Sequence, residues 1–456
     1  MPSNIRKYSV LTKNILLAFI AIYFFLWPAA IIVSDIQAPE LRNNGLPSFT
    51  YRWHKNISKN FASWATDRIG SNRANSLNID NISGTEWPMF SAVYYLWATE
   101  SLQRYWEGNP SVSDKAPIDY AQDSIRSAAS LVADKGNATW VIKHWGDTYL
   151  EQENIFYRML LISGLTSFEK LLSDNTYHKL LTNQVHSLAE ELDNSPYGLL
   201  DDYPRQCYPV DVLPAIAAIN RAQSLINHDF SGVISRAKRG FSGNLLDPHT
   251  LLPAYVADSK QGKSYGPARG VGMSYMLIWS PEIWPELSRE WYSKYQTHFW
   301  QQNSFIAGVR EFTKELPYPD WLMDVDAGPV IAGYGTAASA FGIGAARANG
   351  KFDHAFPLSA EALASSWPLP HGTLLIPKLL SNISDAPFIG ETALLFNFTR
   401  QMIDSETTSA ANSKLPLFVY FCISMYLLFG LLLLKPLLRQ IMHWRKIARN
   451  KQRHSH

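Results

Sequence analysis

At 456 residues the chain has room for one large domain or two ordinary ones, and 15 Trp, 22 Tyr and 22 Phe supply a core and an aromatic cleft. A net charge of +2 carries no nucleic-acid footprint, so a nucleic-acid partner is not expected. With only Cys207 and Cys422, the latter inside an apolar run, a structural disulfide is not expected; neither a metal-type Cys/His cluster nor a phosphate-binding loop is present.

Residues 15–33 are uncharged, and 415–434 form a second apolar run. Each approaches the ~20 residues that a bilayer-spanning helix needs, so the lipid bilayer is an expected partner. Arg6, Lys7 and Lys13 precede the first, and Lys435, Arg439, Arg445, Lys446, Arg449, Lys451 and Arg453 follow the second. The positive-inside rule then places residues 1–14 and the basic tail 435–456 in the cytoplasm, and 35–414 across the membrane, the periplasm in a Gram-negative cell. A cleaved signal peptide competes for the first run, with Ala29 and Ala30 as its small residues, but the run is longer than a usual signal core. The Asn-X-Ser/Thr triplets, for example at Asn137 and Asn382, read as chance.

Between the anchors almost no β alternation occurs, and twelve helical patterns fall into six pairs. They are 57–69 with 87–106, 118–133 with 153–165, 176–192 with 207–226, 230–241 with 269–279, 285–300 with 329–348, and 358–367 with 389–402. The first of each pair is mostly amphipathic, as in HKLLTNQVHSLAEELDN, and the second is poor in charge and rich in Gly, Ala and aromatics. Amphipathic helices cover surfaces and all-apolar ones lie inside. Six such alternations predict an all-α fold, an (α/α)6 toroid flanked by two transmembrane helices. In the 329–348 run, Pro329 suits a first helical turn and the small residues suit close helix packing. Its two Gly-X-Gly triplets lack the βαβ setting of a dinucleotide site.

The long connections all precede the second helix of a pair, which puts them on one rim beside six helix N-termini. Long loops in a compact domain are usually functional, and those N–H groups favour polarised oxygens. The rim holds His144, Trp145, Glu153, Asp202, Tyr203, Tyr208, Asp211, Tyr265, Arg269, Trp321, Asp324, Asp326 and Glu391, with Trp87 at the first inner helix. Taken singly, Glu153, Asp211 and Asp326 read as helix caps or first-turn acids. Taken together, the density of acids, Tyr and Trp favours acid/base chemistry, which needs two carboxyls of unlike environment. Cys207 reads either as a small buried residue or as a thiol whose pKa a helix N-terminus lowers, with the acids at 201 and 202 opposing that.

The segments ENIFYR (153–158), DDYPRQCYPVD (201–211), ARGVGMSY (268–275) and DVDAGPVIAGYGTAASAFGIGAARANG (324–350) resemble those of proteins carrying a linalool dehydratase/isomerase-like domain, over roughly residues 85–400. The resemblance implies an (α/α)6 barrel that interconverts alcohols and alkenes by proton transfer, without metal or organic cofactor. It implies Glu153, Cys207, Tyr208 and Asp211 as the catalytic positions, joined here by the rim acids Asp202 and Asp326. The remaining rim residues above are expected to bind substrate. One departure stands out: the family's terpene enzyme pairs two cysteines, and this chain has only Cys207 outside the membrane runs. Two readings compete, an envelope glycan hydrolase or epimerase using two rim carboxylates, with Trp87, Trp145 and Trp321 as stacking platforms, and a non-catalytic scaffold of a polysaccharide machine. The oligomeric state is left open, a homo-oligomer included.

Overall fold

A computed structural model describes residues 3–403 and 413–453. The protein is mostly helical with a few short strands. Helix α1 (Ser3–Ala21) passes through a single π turn, Ile22–Leu26, into α2 (Trp27–Ile36). Then follow α3 (Ser48–Gly70), the short α4 (Ile82–Thr85), α5 (Trp87–Gly108), α6 (Pro117–Ala133), α7 (Thr139–Trp145), α8 (Ile155–Leu172) and α9 (His178–Asn194). Next come α10 (Pro209–Ile226), α11 (Ser231–Ala237), α12 (Gly270–Ile283), α13 (Pro285–His298), α14 (Thr336–Ala348), α15 (Phe352–Ser365), α16 (Leu375–Ser381) and α17 (Ile389–Phe398). The last, α18 (Leu417–Arg453), carries the helix on through the expected basic tail.

Six of these helices are apolar on nearly every side. In α12, all residues from Gly270 to Ser280 are buried, as are fifteen consecutive positions of α8, Ile155 to Glu169. Such helices have no solvent face to offer, so each must be enclosed by others. Helix α5 packs on α8, α8 on α10, α10 on α12, α12 on α14, α14 on α17, and α17 returns to α5. The amphipathic helices cover them: α6 lies on α5 and α8, α9 on α8 and α10, α13 on α12, and α15 on α14.

The C-terminal halves of the ring helices are tied by a buried ionic network. Arg221 Nη2 lies 2.5 Å from Glu100 Oε2, Arg400 Nη2 lies 2.5 Å from Glu282 Oε1, and Ser167 Oγ donates to Glu100 at 2.7 Å. Above it Trp97 and Trp279 meet at 4.5 Å between ring centres, with Phe396 against both. Despite burial, Arg221 and Lys170 hold the Glu100 carboxyl down to about 2.

The fifth buried helix begins later than the sequence predicts. Residues 329–335 are not helical: after the two-stranded pairs β1 (Ala257–Asp258) with β2 (Lys263–Ser264) and β3 (Trp300–Gln302) with β4 (Ala307–Val309), the strands β5 (Leu322–Asp324), β6 (Gly328–Ile331) and β7 (Tyr334–Gly335) form a small antiparallel sheet. The cause is local, since Ala332 and Gly333 both take positive φ, 52° and 81°, and a Cβ at Gly333 would lie 2.4 Å from the Arg310 guanidinium. Past Thr336 the small residues do what the sequence suggests: a Cβ at Gly344 would lie 2.4 Å from Asn397 Oδ1 on α17.

Two runs, Ser9–Ile36 and Leu417–Asn450, are long and apolar enough to cross a membrane. They pack on each other, with Asn14 Nδ2 donating to Gln440 Oε1 at 2.6 Å. Just past the end of α15, Trp367 Nε1 donates to the Phe24 carbonyl inside the π turn at 2.5 Å.

Arg221→Met would leave two buried carboxylates short of a partner, a loss of roughly 3–5 kcal/mol. Chemical denaturation of the purified protein should show that fall; an unchanged midpoint would mean that the network is not what closes this end of the ring.

Candidate functional site

At the N-terminal ends of the buried helices, here called the mouth, acids at the starts of three of them, α5, α10 and α14, lie close enough to act on one another. Glu86 is the N-cap residue of α5, yet its side chain makes no cap. Instead its Oε1 accepts a 2.5 Å hydrogen bond from Tyr203 Oη, 117 residues away. Burial is the larger influence and pushes the Glu86 carboxyl up to about 7, against the Tyr203 bond and with help from Asp326.

Asp211 sits in the first turn of α10, half-buried on the wall of the mouth. Burial, then the charges of Asp326 and Glu86, push it well above the carboxylate range. Asp202, in the turn before that helix, is raised in the same sense by burial and by Asp211. One of its oxygens, Oδ2, accepts from the Tyr208 N–H at 2.7 Å; the other, Oδ1, is buried without a hydrogen-bond partner. Trp145 Nε1 donates to the Asp202 carbonyl at 3.1 Å and so anchors this turn. His144 meets the Tyr203 ring edge-on at 5.1 Å.

The hairpin between β5 and β6 carries the opposing acids. Asp326 accepts from Tyr255 Oη at 2.9 Å and lies open to the mouth. Its pKa is raised by burial and by Asp324, against Tyr255 and Arg269. Asp324 behaves oppositely: burial raises it, but the Asp326 and Ala327 N–H groups, each 2.9 Å away, and Arg269 outweigh burial and lower it. Arg269, the N-cap residue of α12, is held by Glu311 at 2.6 Å and Asp324 at 3.0 Å, its guanidinium 4.4 Å over the Tyr255 ring. That one cation is therefore committed to the hairpin side. Glu311, fully buried, is raised by burial to about 7.

Below the acids the wall is aromatic. Phe90 meets Phe156 and Tyr94 at 5.1 Å each, Tyr94 meets Phe396 at 5.1 Å, and Phe341 meets Tyr275 at 5.2 Å. Tyr275 Oη is buried without a hydrogen-bond partner, and burial with Asp211 keeps it protonated.

The structure thus brings together Asp202, Tyr203, Tyr208, Asp211, Arg269, Asp324 and Asp326, with Trp145 and His144 behind them. Trp87, half-buried, directly follows Glu86 in α5. Cys207 corrects one expectation: α10 begins at Pro209, and Cys207 instead pairs in extended backbone, its carbonyl accepting from Ala257 N at 2.9 Å. Its thiol is fully buried, and burial with Asp202 and Asp201 raises its pKa well above the usual value, so the acids win over any helix dipole. Glu153 also precedes its helix; it accepts from the Asp201 N–H at 2.7 Å and pairs with Lys260. It buttresses the turn that carries Asp202.

Three other candidates spend their contacts elsewhere. Tyr265 Oη donates to Asp258 at 3.0 Å, Trp321 is 69% exposed, and Glu391 accepts from the Leu374 N–H at 3.1 Å beside Lys378 at 3.6 Å. Sequence reasoning missed Glu86, Tyr94 and Tyr275. Glu86 stands directly before the first buried helix, the one signal that could have found it. Among the described residues, no three His, Cys, Asp or Glu side chains converge as a metal would need.

Raising Glu86 from 4.5 to about 7 means the folded state holds its proton where the unfolded chain has lost it, worth roughly 3 kcal/mol. The contribution is present below 4.5 and is lost as pH rises through about 7. Gln at 86 keeps an acceptor for Tyr203 and cannot ionise. Glu86→Gln should therefore melt progressively higher than wild type as the pH is taken from 4.5 to 8, a trend that thermal scans would read directly; a constant difference between the two proteins would contradict the assignment.

Comparison with protein-family models returns no match, and comparison with curated proteins returns none.

Proposed function

We propose that the protein is a membrane-anchored enzyme of linalool dehydratase/isomerase type, its six buried helices forming the inner ring of an (α/α)6 toroid and its mouth carrying out acid/base chemistry on an alcohol. The observation that carries this reading is the grouping of Glu86, Asp202, Asp211 and Asp326, raised in pKa by burial and by one another. Like charges this close do not all ionise, so protons are retained at neutral pH. Asp326 has Tyr255 and Arg269 beside it to favour its charged form, whereas burial and two further acids surround Asp211.

Asp211 is then the proton donor and Asp326 the acceptor. In an elimination, Asp211 protonates the departing hydroxyl, the C–O bond breaks with release of water, and Asp326 takes a proton from the neighbouring carbon; hydration runs the same steps backwards. Burial, then Asp326 and Glu86, keep Asp211 protonated, and Tyr203 and Tyr255 fix the Glu86 and Asp326 carboxyls. Cys207, a neutral thiol, lies just outside the proton path. The phenyl and phenol wall suits a hydrocarbon body. Trp145, bound to a carbonyl, is poorly placed as a sugar platform, which counts against the glycan reading.

The test is proton exchange. With the full-length protein in detergent and isoprenoid alcohols in D2O, mass spectrometry should find deuterium at the carbon next to the alcohol. Asp211→Asn and Asp326→Asn should each lower the rate by about 10²–10⁴, and Glu153→Gln by less. Wild-type exchange in both aspartate variants would overturn the assignment.

A further inference from the structure

The exposed apolar surface of the body is unevenly placed. Between residues 37 and 402, every large apolar side chain exposed to solvent falls in the segments 251–265, 305–331 and 379–383, all of them in the connections that lead from an outer helix to the next buried helix. The extremes are Trp321 at 69%, Met323 at 77% and Ile383 at 85% exposure. Phe305 is accounted for, since its ring meets Phe418 at 6.1 Å at the start of α18. The others lie in the connections that end at the mouth: Tyr318 stacks on Phe312 at 3.8 Å and Tyr265 donates to Asp258 at 3.0 Å, whereas Trp321, Met323 and Ile383 make no side-chain hydrogen bond or ring contact among the described residues, and patches of this kind mark a contact with something apolar.

What they face follows from how the body is held. Helix α15 runs along the two apolar rods from its own start to the mouth. Near its first turn, the Arg42 guanidinium lies 3.4 Å over the Phe356 ring. Near its end, Tyr426 Oη donates to Ala364 O at 3.2 Å, and just beyond it Trp367 reaches the Phe24 carbonyl and His371 Nδ1 lies 2.8 Å from Tyr23 Oη. The mouth therefore meets the first rod at Tyr23 and Phe24, while the closed end of the ring lies past Ile36. Tyr23 is in the middle of the Ser9–Ile36 run, and at 1.5 Å per residue it sits roughly 20 Å from either end. A hydrocarbon layer about 30 Å thick centred on that run has to reach the level of Tyr23. The pair Arg52–Asp35, 2.5 Å apart with Asp35 buried and Arg52 partly exposed, marks the polar level beyond it.

We propose that the mouth of the ring is set down on the lipid bilayer, with segments 318–331 and 379–383 dipping into it, so that the acid cluster takes its substrate from the membrane: an amphiphile with a hydrocarbon tail and a hydroxyl-bearing head. This rests on the reading that the two apolar rods cross the membrane and that the mouth is the site. The aromatic wall below the acids accepts the hydrocarbon part, and the carboxyls stand where the hydroxyl arrives.

Nitroxide labels report the arrangement in the full-length protein reconstituted in phosphatidylcholine nanodiscs. Cys422→Ala leaves only the buried Cys207, and Met323→Cys, Ile383→Cys and, as control at the far end of the ring, Glu286→Cys are labelled one at a time. Collision with oxygen should exceed collision with a water-soluble nickel chelate at 323 and 383, and the order should reverse at 286. Water-like behaviour at 323 and 383 in protein that stays in the bilayer after alkaline carbonate washing would overturn this inference alone. Release by the wash would overturn the membrane reading with it. Spin–spin broadening at 323 that vanishes on dilution with unlabelled protein would say that a second copy covers the rim, which also refutes the proposal. Loss of deuterium exchange in the aspartate variants addresses the site itself and is independent of these outcomes.

Discussion

Carboxyls repel one another, and burial deprives them of the water that would otherwise screen them. In this protein the balance is struck differently at the two ends of one ring of helices. At the C-terminal end Glu100 and Glu282 are paired with Arg221, Arg400 and Lys170, and these ion pairs tie the helices together. At the N-terminal end Glu86, Asp202, Asp211 and Asp326 share a mouth whose nearest cation, Arg269, already serves Glu311 and Asp324. Cations neutralise one end; at the other, burial and like charge raise the carboxyl pKa values instead. The chemical potential of the site follows from that asymmetry rather than from any single residue.

The same asymmetry explains the supporting residues. Glu153 and Lys260 hold the 201–206 turn from outside, and Trp145 holds it from the second connection. Together they fix Asp202 beside Asp211. The β5–β6 hairpin fixes Asp326 opposite, its geometry set by Asp324 accepting two backbone N–H groups. A site drawn from separate loops needs such bracing, because each loop would otherwise relax to put its carboxyl in water.

Much of the helical layout was legible because burial writes itself into periodicity. The amphipathic 176–192 pattern became α9, and the uniformly apolar 269–279 pattern became α12. The pattern failed where composition and backbone conformation diverge: Pro329 and the Gly and Ala around it look helical, yet positive φ at Ala332 and Gly333 turns them into a hairpin. Asp211 and Asp326 were legible as rim acids because the long loops pointed to one rim. Glu86 was not, since its partner Tyr203 lies 117 positions away and no local pattern encodes a hydrogen bond of that span. In sequence Cys207 reads as the first residue of a helix that begins two residues later, at Pro209, and the neighbouring acids named as opposing a lowered pKa prevail.

The account stands on carboxyls that keep their protons at neutral pH. Infrared spectroscopy of the full-length protein at pH 7 reads this directly, since a protonated carboxyl absorbs apart from a carboxylate. Subtracting Asp211→Asn from wild type should remove a protonated-carboxyl band. A difference that removes only carboxylate absorption would mean that Asp211 is ionised, and the proposed division between acid and base would fall.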